Sequence, residues 1–421
     1  MTRQNHKIIT ILFFAFIASL CSAELLQRFT LQNGSTPYLS QQPMSISLDG
    51  NVKQNELEEL AVYEVREDSK IPLRSQVYQD SPDRIWFIPS QSIAANEKLS
   101  LELHAASQIT SHTPVTVQKD EQTFTLVWDD QKILSYYHAL HPVPEGVDPV
   151  FRRSGFLHPL YSPAGHVFTQ IQPPDHYHHY GIWNPWTRTN IEGQQVDFWN
   201  IGEKQGTVRF AKLLSTVSGP VFGSLQVQQE HVQFLPDGSE RVAINEIWDL
   251  RASPFSIASG AWIVDLTCTL SNVLSVPIEL EQYRYGGGLG FRATEEWNKD
   301  NCKVLTSEGK TRNEADGTRA RWCDVRGAFD GPEDTSGILF LSHTANREHP
   351  EPMRVWPENI VENGGMFFEF CPIRLNGWTL QPDQDYILRY RMIVYDGTLE
   401  PETMERLWKN YTQPPVITSG D

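Results

Sequence analysis

The sequence is poor in cysteine and in basic charge, and it has no long apolar run beyond its first two dozen residues. Each lack excludes something. Five cysteines in 421 residues, with no Cys-x-x-Cys pair among them, do not make a thiolate zinc site. Lysine and arginine number 35 against 52 aspartates and glutamates, a net charge of −17. Binding a phosphate backbone or an anionic membrane requires basic surface, so nucleic acid is not an expected partner. After residue 23 no segment approaches the roughly twenty apolar residues of a bilayer span. There is no nucleophile elbow and no phosphate loop. Amphipathic helices are nearly missing. The best is Pro401 to Tyr411, where Met404, Leu407 and Trp408 recur at helical spacing.

The first residues read as an export signal. Arg3, His6 and Lys7 form a basic start, Ile8 to Leu20 is apolar, and Cys21-Ser22-Ala23 is a small-residue exit before Glu24. Bulky Leu20 argues against a lipid anchor on Cys21. The expectation is an exported protein, periplasmic or extracellular. Loss of Arg3 and Lys7 with the leader takes the net charge from −17 to −19. An oxidising compartment permits disulfides. Cys302 and Cys323, in one polar segment, are the pair to test against the alternative of buried free thiols.

Short strand-like runs fill the rest. Met44–Leu48, Arg84–Ile88, Leu99–Leu103, Arg241–Trp248, Ile263–Cys268, Ile338–Leu341 and Tyr386–Val394 alternate or run apolar between Gly, Pro, Asn and Asp. Thr123–Trp128 and Ile133–Tyr137 flank Asp129-Asp130 as a hairpin. The pattern predicts an all-β protein. Residues 24–118 would form a small immunoglobulin-like sandwich, and residues 119–415 a large antiparallel β-supersandwich. The mostly polar stretch from Ser107 to Lys119 would link them.

Chemistry concentrates in one place. Seven of thirteen histidines fall between His138 and His179. Three of them stand in Asp175-His176-Tyr177-His178-His179-Tyr180-Gly181. Histidine titrates near neutrality and is the commonest metal ligand, so the cluster suits proton transfer, substrate binding, a metal site or structural hydrogen bonding. On a strand His176 and His178 would share a face, with His179 opposite; Pro173-Pro174 and Gly181 leave a loop open as well. Trp183, Trp186, Phe198 and Trp199 follow, as a sugar-stacking platform or as core. Glu281, Tyr283 and Tyr285 would share a strand face with Arg284 opposite. The run Gly286-Gly287-Gly288 permits close approach of a backbone or ligand. His343 and Asn346 are further cleft candidates.

At His158–Gly165, Asp175–Trp183, Val196–Trp199, Tyr283–Arg292, Leu305–Arg312, Arg321-Trp322, Ser342–Trp356 and Arg389–Gly397, the chain resembles the PmoA-like family of exported proteins of polysaccharide-degrading bacteria. The resemblance covers about residues 120–400. It implies a large β-sandwich like that of galactose mutarotase, and a role in carbohydrate breakdown. The family's inherited "methane oxygenase" label would require several spanning helices, which the sequence does not offer.

The expected function is a secreted carbohydrate-active enzyme working by proton transfer, of lyase or dehydratase type, with epimerase or hydrolase next. A non-catalytic glycan-binding protein is the alternative from another class. The catalytic candidates are His176 or His178 as base or acid, Glu281 or Tyr283 as the opposite partner, and Arg292 as anion clamp. His179, Trp183, Trp199, Arg284, His343 and Asn346 are the substrate-binding candidates. A metal-assisted version would place one divalent ion at His176 and His178.

Overall fold

The computed structural model describes residues 24–48, 60–67, 69–77, 84–105, 112–184, 186–331 and 333–420. The leader expected over residues 1–23 lies outside them, as do residues 107–111 of the expected linker. The architecture is all-β, built mainly of antiparallel sheets. No helix among the described residues is long and apolar enough to cross a membrane.

Two eight-stranded sheets form the larger sandwich. The first runs in the order Met353–Val355, Phe367–Phe370, Leu289–Arg292, Ile182–Trp183, Phe156–Leu160, Gln131–Tyr137, Thr123–Trp128, Val115–Lys119. The second runs Gly206–Val217, Gly223–Phe234, Glu240–Phe255, Ala261–Asn272, Asp385–Asp396, Thr335–Ser342, Trp322–Ala328, Lys303–Thr306. Period-two alternation decides which residues meet between them. Leu126, Leu134, Leu157, Ile182, Phe291 and Phe368 from the first sheet share one buried cluster with Leu225, Val227, Trp248, Leu250, Val264 and Met392 from the second. Burial of each large apolar side chain contributes about 1.5–3 kcal/mol, so this interface dominates the fold.

A smaller sandwich precedes it. A five-stranded sheet containing Glu24–Gln32, Leu60–Arg66 and Lys98–Ala105 faces a three-stranded one of Met44–Ser47, Arg74–Val77 and Arg84–Ile88. Phe29, Leu31, Ile46, Ile85, Phe87 and Leu103 fill its separate core. The strand Val115–Lys119 spans position 118 and pairs with Thr123–Trp128, so the chain has entered the larger sheet before the expected boundary. At the other end Val416–Ser419 returns to pair with Glu24–Gln32.

The one α-helix among the described residues, Pro401–Thr412, starts with proline, whose missing N–H costs nothing in a first turn. Its Met404, Leu407 and Trp408 pack on Trp322, Leu341 and Ile393 of the second sheet.

All four cysteines past residue 23 are buried free thiols. Strand register keeps Cys302 and Cys323 apart. Lys303, next to Cys302, pairs with Arg326, three rungs from the Thr306–Cys323 pair. At roughly 3.4 Å per rung this exceeds the Cα separation that a disulfide spans.

Candidate functional site

The site is built on the outer face of the first sheet. Leu157, Ile182, Phe291 and Phe368 point into the main core. Their neighbours Phe156, Trp183, Arg292 and Phe367 therefore point outward, and register sets Arg292 opposite Phe367. Trp199 and Trp356 pack on this face, forming a second aromatic cluster with Phe156, Tyr180, Trp183 and Phe367. Beyond Trp183, Asn184 donates to Glu246 Oε1 at 2.6 Å, which ties the strand's exit to the opposite sheet.

The histidine segment is a loop of two successive turns. His176 N–H donates to Pro173 O at 2.9 Å, His179 N–H to His176 O at 3.0 Å, and Gln172 N–H to His179 O at 2.8 Å. Gly181 ends it with φ +57°, where a Cβ would lie 2.2 Å from Leu157 O. Because the segment is not a strand, the expected opposition of His179 to the other two disappears. The three rings converge, with centroids 4.7, 4.8 and 5.4 Å apart.

Their environments differ. His179 is 2% exposed and enclosed by Trp183, Trp199, Trp356 and Phe367 at 5.1–5.9 Å. Burial, with His178 and Arg292 nearby, drives its pKa well below the usual value. His178 is brought down to about 4, by burial first and by the neighbouring His176 second. His176 Nδ1 lies 3.4 Å from Asp175 Oδ2. Burial works to raise the Asp175 carboxyl, but His176 and Arg292 together outweigh it and hold it at about 2.

His176, His178, His179, Trp199, Asn200, Arg284, Tyr285, Arg354, Trp356, Ile360 and Phe367 line a cavity of about 250 Å³. A second cavity of about 440 Å³, with Thr187, Arg188, Asp197 and Tyr283 in its wall, shares Asn200 and Tyr285 with the first. The two cavities adjoin at these residues.

Tyr285 reaches the junction because of the glycines after it. Gly286, Gly287 and Gly288 all have positive φ. A Cβ on Gly287 would fall 2.0 Å from the Trp186 ring, and one on Gly288 2.1 Å from Phe370 O. The close approach that these glycines allow is by the protein's own ring and backbone. The Tyr285 phenol is pushed up to about 12, by burial and by Tyr283, and so stays protonated. Behind Arg354, Glu369 is fully buried. Its Oε1 accepts from Gly286 N–H at 2.9 Å, its Oε2 has no protein partner, and burial pushes its carboxyl well above the usual range.

The sequence candidates are only partly gathered at this cavity. His176, His178, His179, Trp199 and Arg284 line the first cavity, while Trp183 is fully buried against His179, with ring centroids 5.2 Å apart. Arg292 stands behind the wall: its Nη2 lies 3.0 and 2.8 Å from the Asp175 oxygens, and its guanidinium stacks on Trp356 at 4.9 Å. Tyr283 belongs to the second cavity and meets Tyr285 edge-on at 4.7 Å. Glu281 lies apart, accepting from Gln195 and Asn190 at 2.7 and 3.3 Å. The strand Ile278–Leu280 ends before it, so Glu281, Tyr283 and Tyr285 do not share a strand face. His343 lines a different cleft with Tyr38, Arg389 and Tyr411. Asn346 is buried, bonded to Glu351 Oε2 and to both backbone groups of Arg389. Asn200, Tyr285, Arg354, Trp356, Ile360 and Phe367 complete the cavity and were not among the site candidates. The alternation in Arg354-Val355-Trp356 is the signal that could have found two of them.

Among the described residues, no group of three His, Cys, Asp or Glu side chains is arranged to hold a metal ion. Residues 123–409 match the family described as "Family of unknown function (DUF6807)". That span takes in both cavities. No curated protein matches the chain.

Proposed function

We propose that this chain, which belongs to the DUF6807 family, is an exported carbohydrate-active enzyme that works by proton transfer. The observation that carries the reading is the convergence of His176 and His178 with Trp199, Trp356 and Tyr285 on one cavity. Aromatic faces stack on sugar rings and leave the hydroxyls to polar neighbours. Neutral His178 is the base, and protonated Tyr285 is the acid. The resemblance to PmoA-like proteins and to galactose mutarotase supports the same substrate class.

Elimination is the favoured reaction. A hydrolase of the usual kind needs two carboxyl groups flanking the scissile bond, and no Asp or Glu stands among the residues lining the first cavity. His178 takes a proton from a ring carbon, the electron pair of that C–H bond forms a carbon–carbon double bond, and the adjacent C–O bond breaks. Tyr285 protonates the departing oxygen, which leaves as water or as the cut end of a glycan. Asn200, on the wall of the same cavity, offers its amide oxygen to a sugar hydroxyl.

The test is mass spectrometry of plant and algal oligosaccharides after incubation with the mature protein. Loss of one water, or cleavage with an unsaturated end, is expected, and H178A should abolish it. Cleavage with addition of water would replace the proposal by hydrolysis. Binding with no change in mass or configuration would replace it by a glycan-binding role.

A further inference from the structure

We infer that the ligand of the first cavity is an acidic sugar, with its carboxylate seated between Arg284 and Arg354. This rests on the carbohydrate reading above and adds the charge of the substrate. The chain carries a net charge of −17, yet the wall of this cavity has two guanidinium groups and no carboxylate. Arg284 stacks at 6.0 and 5.4 Å on Tyr283 and Tyr285 and has no acidic partner among the described residues. Arg354 pairs with Asp316 at 2.6 Å, but Asp316 also serves Arg374 at 3.2 Å. One carboxylate therefore answers two cations. Glu369, across the strand pair from Arg354, is fully buried, and burial pushes its carboxyl well above the usual range, which weakens it as a countercharge.

The remaining polar atoms favour the same ligand. Trp199 Nε1, a donor on the cavity wall, has no protein partner, and neither does Nδ1 of His179, which donates in one tautomer. Buried donors without partners are costly, so the cavity favours a ligand rich in acceptor oxygens. Guanidinium forks match a carboxylate in geometry as well as charge. The aromatic walls select a carboxylate attached to a ring over a small free anion. The volume of about 250 Å³ lies below the range of roughly 300–1,000 Å³ typical of drug-sized ligands, which fits one ring at a time. The larger cleft near His343 differs in that its wall holds two carboxylates, Asp249 paired with Arg251 and Asp265 paired with Arg391.

A carboxylate beside the ring also serves the proposed chemistry. Removing a proton from the carbon that bears it places negative charge on its oxygens, where Arg284 and Arg354 stabilise it.

The experiment is calorimetric titration of the full-length mature protein with oligosaccharides of galacturonate, glucuronate, mannuronate and guluronate, each beside its carboxyl-reduced counterpart. At least one acidic oligosaccharide should bind about 10- to 100-fold more tightly than its reduced form. The preference should weaken with salt and largely vanish in R284Q. R284Q breaks no ion pair and should keep the wild-type melting temperature. Equal affinity for acidic and reduced forms would overturn the inference and leave the carbohydrate reading standing. Binding of simple carboxylates such as benzoate, with no saccharide bound, would overturn the carbohydrate reading and keep the anion site. No binding by any probe would overturn both.

Discussion

Arg292 grips both oxygens of Asp175 through a single nitrogen, at 3.0 and 2.8 Å. The arginine belongs to the sheet and the aspartate opens the histidine loop, so this pair fixes the loop that presents His176 and His178. D175N should cost about 2–3 kcal/mol, less than the 3–5 of a fully buried pair, because Asp175 is 29% exposed. Urea unfolding measures it. The Asp175 pKa is depressed to about 2, so its contribution is complete above the ordinary carboxylate pKa near 4 and lost as pH falls through 2. The wild type should lose stability over that window, and D175N should lose less. An equal loss in both would count against the pair as the anchor.

His178 makes a second prediction about pH. Its folded pKa is about 4, below the ordinary value near 6.5. The unfolded chain takes up its proton first, so stability is complete above about 6.5 and declines as pH falls towards 4. Below 4 both states are protonated and the decline from this group ends. If His178 is the base, the acid limb of kcat/KM lies near pH 4 instead of 6.5. A limb near 6.5 on an active substrate would point to a different, more exposed histidine.

The glycine run gives a contrast in stability. G287A puts a Cβ 2.0 Å from the Trp186 ring in a backbone with φ +78°, and should destabilise by about 3 kcal/mol or more. Gly165 has φ +93° with nothing within 4 Å, so G165A meets only the backbone penalty of about 1–2 kcal/mol. Denaturant midpoints of the two variants distinguish crowding from conformation.

The buried thiols predict a chemical titration. The mature chain should react with four equivalents of a thiol reagent in denaturant and with almost none when folded. Its mobility should be the same on reducing and non-reducing gels. Burial raises the Cys302 thiol to about 12 and the Cys323 thiol well above its ordinary value, so neither presents a reactive thiolate. Fewer than four equivalents in denaturant would mean that a disulfide forms.

Much of the fold was legible because its strands are buried on one face or both. Tyr386–Val394 and Arg241–Trp248 read as strands from their apolar content, and both lie within strands of the second sheet. The helix at Pro401 was legible from three residues on one face. The site was legible only in part. The clustering of His176, His178 and His179 is a sequence fact, but their convergence depends on turn hydrogen bonds that periodicity does not reveal. Arg354, Trp356 and Phe367 come from strands and loops far along the chain, and only sheet order brings them to the histidines. His343 and Asn346 lie away from the histidine cavity, because a polar residue near a strand end carries no mark of which side of a sandwich it will reach. Glu281 lies apart because the expected alternation over residues 281–285 falls past the end of the strand at Leu280.

The strands Ile182–Trp183, Leu289–Arg292 and Phe367–Phe370 serve two masters, with one face in the core and the other under the cavity. A saturation scan read out twice, once for abundance and once for turnover, should therefore trace a comb along each of them. Ile182, Phe291 and Phe368 would score in the abundance channel alone, and Trp183, Arg292 and Phe367, buried but facing the cavity side, in both channels. The teeth of the turnover comb would stand at alternate residues, so this sheet cannot drift in register without exchanging its workshop for its foundations.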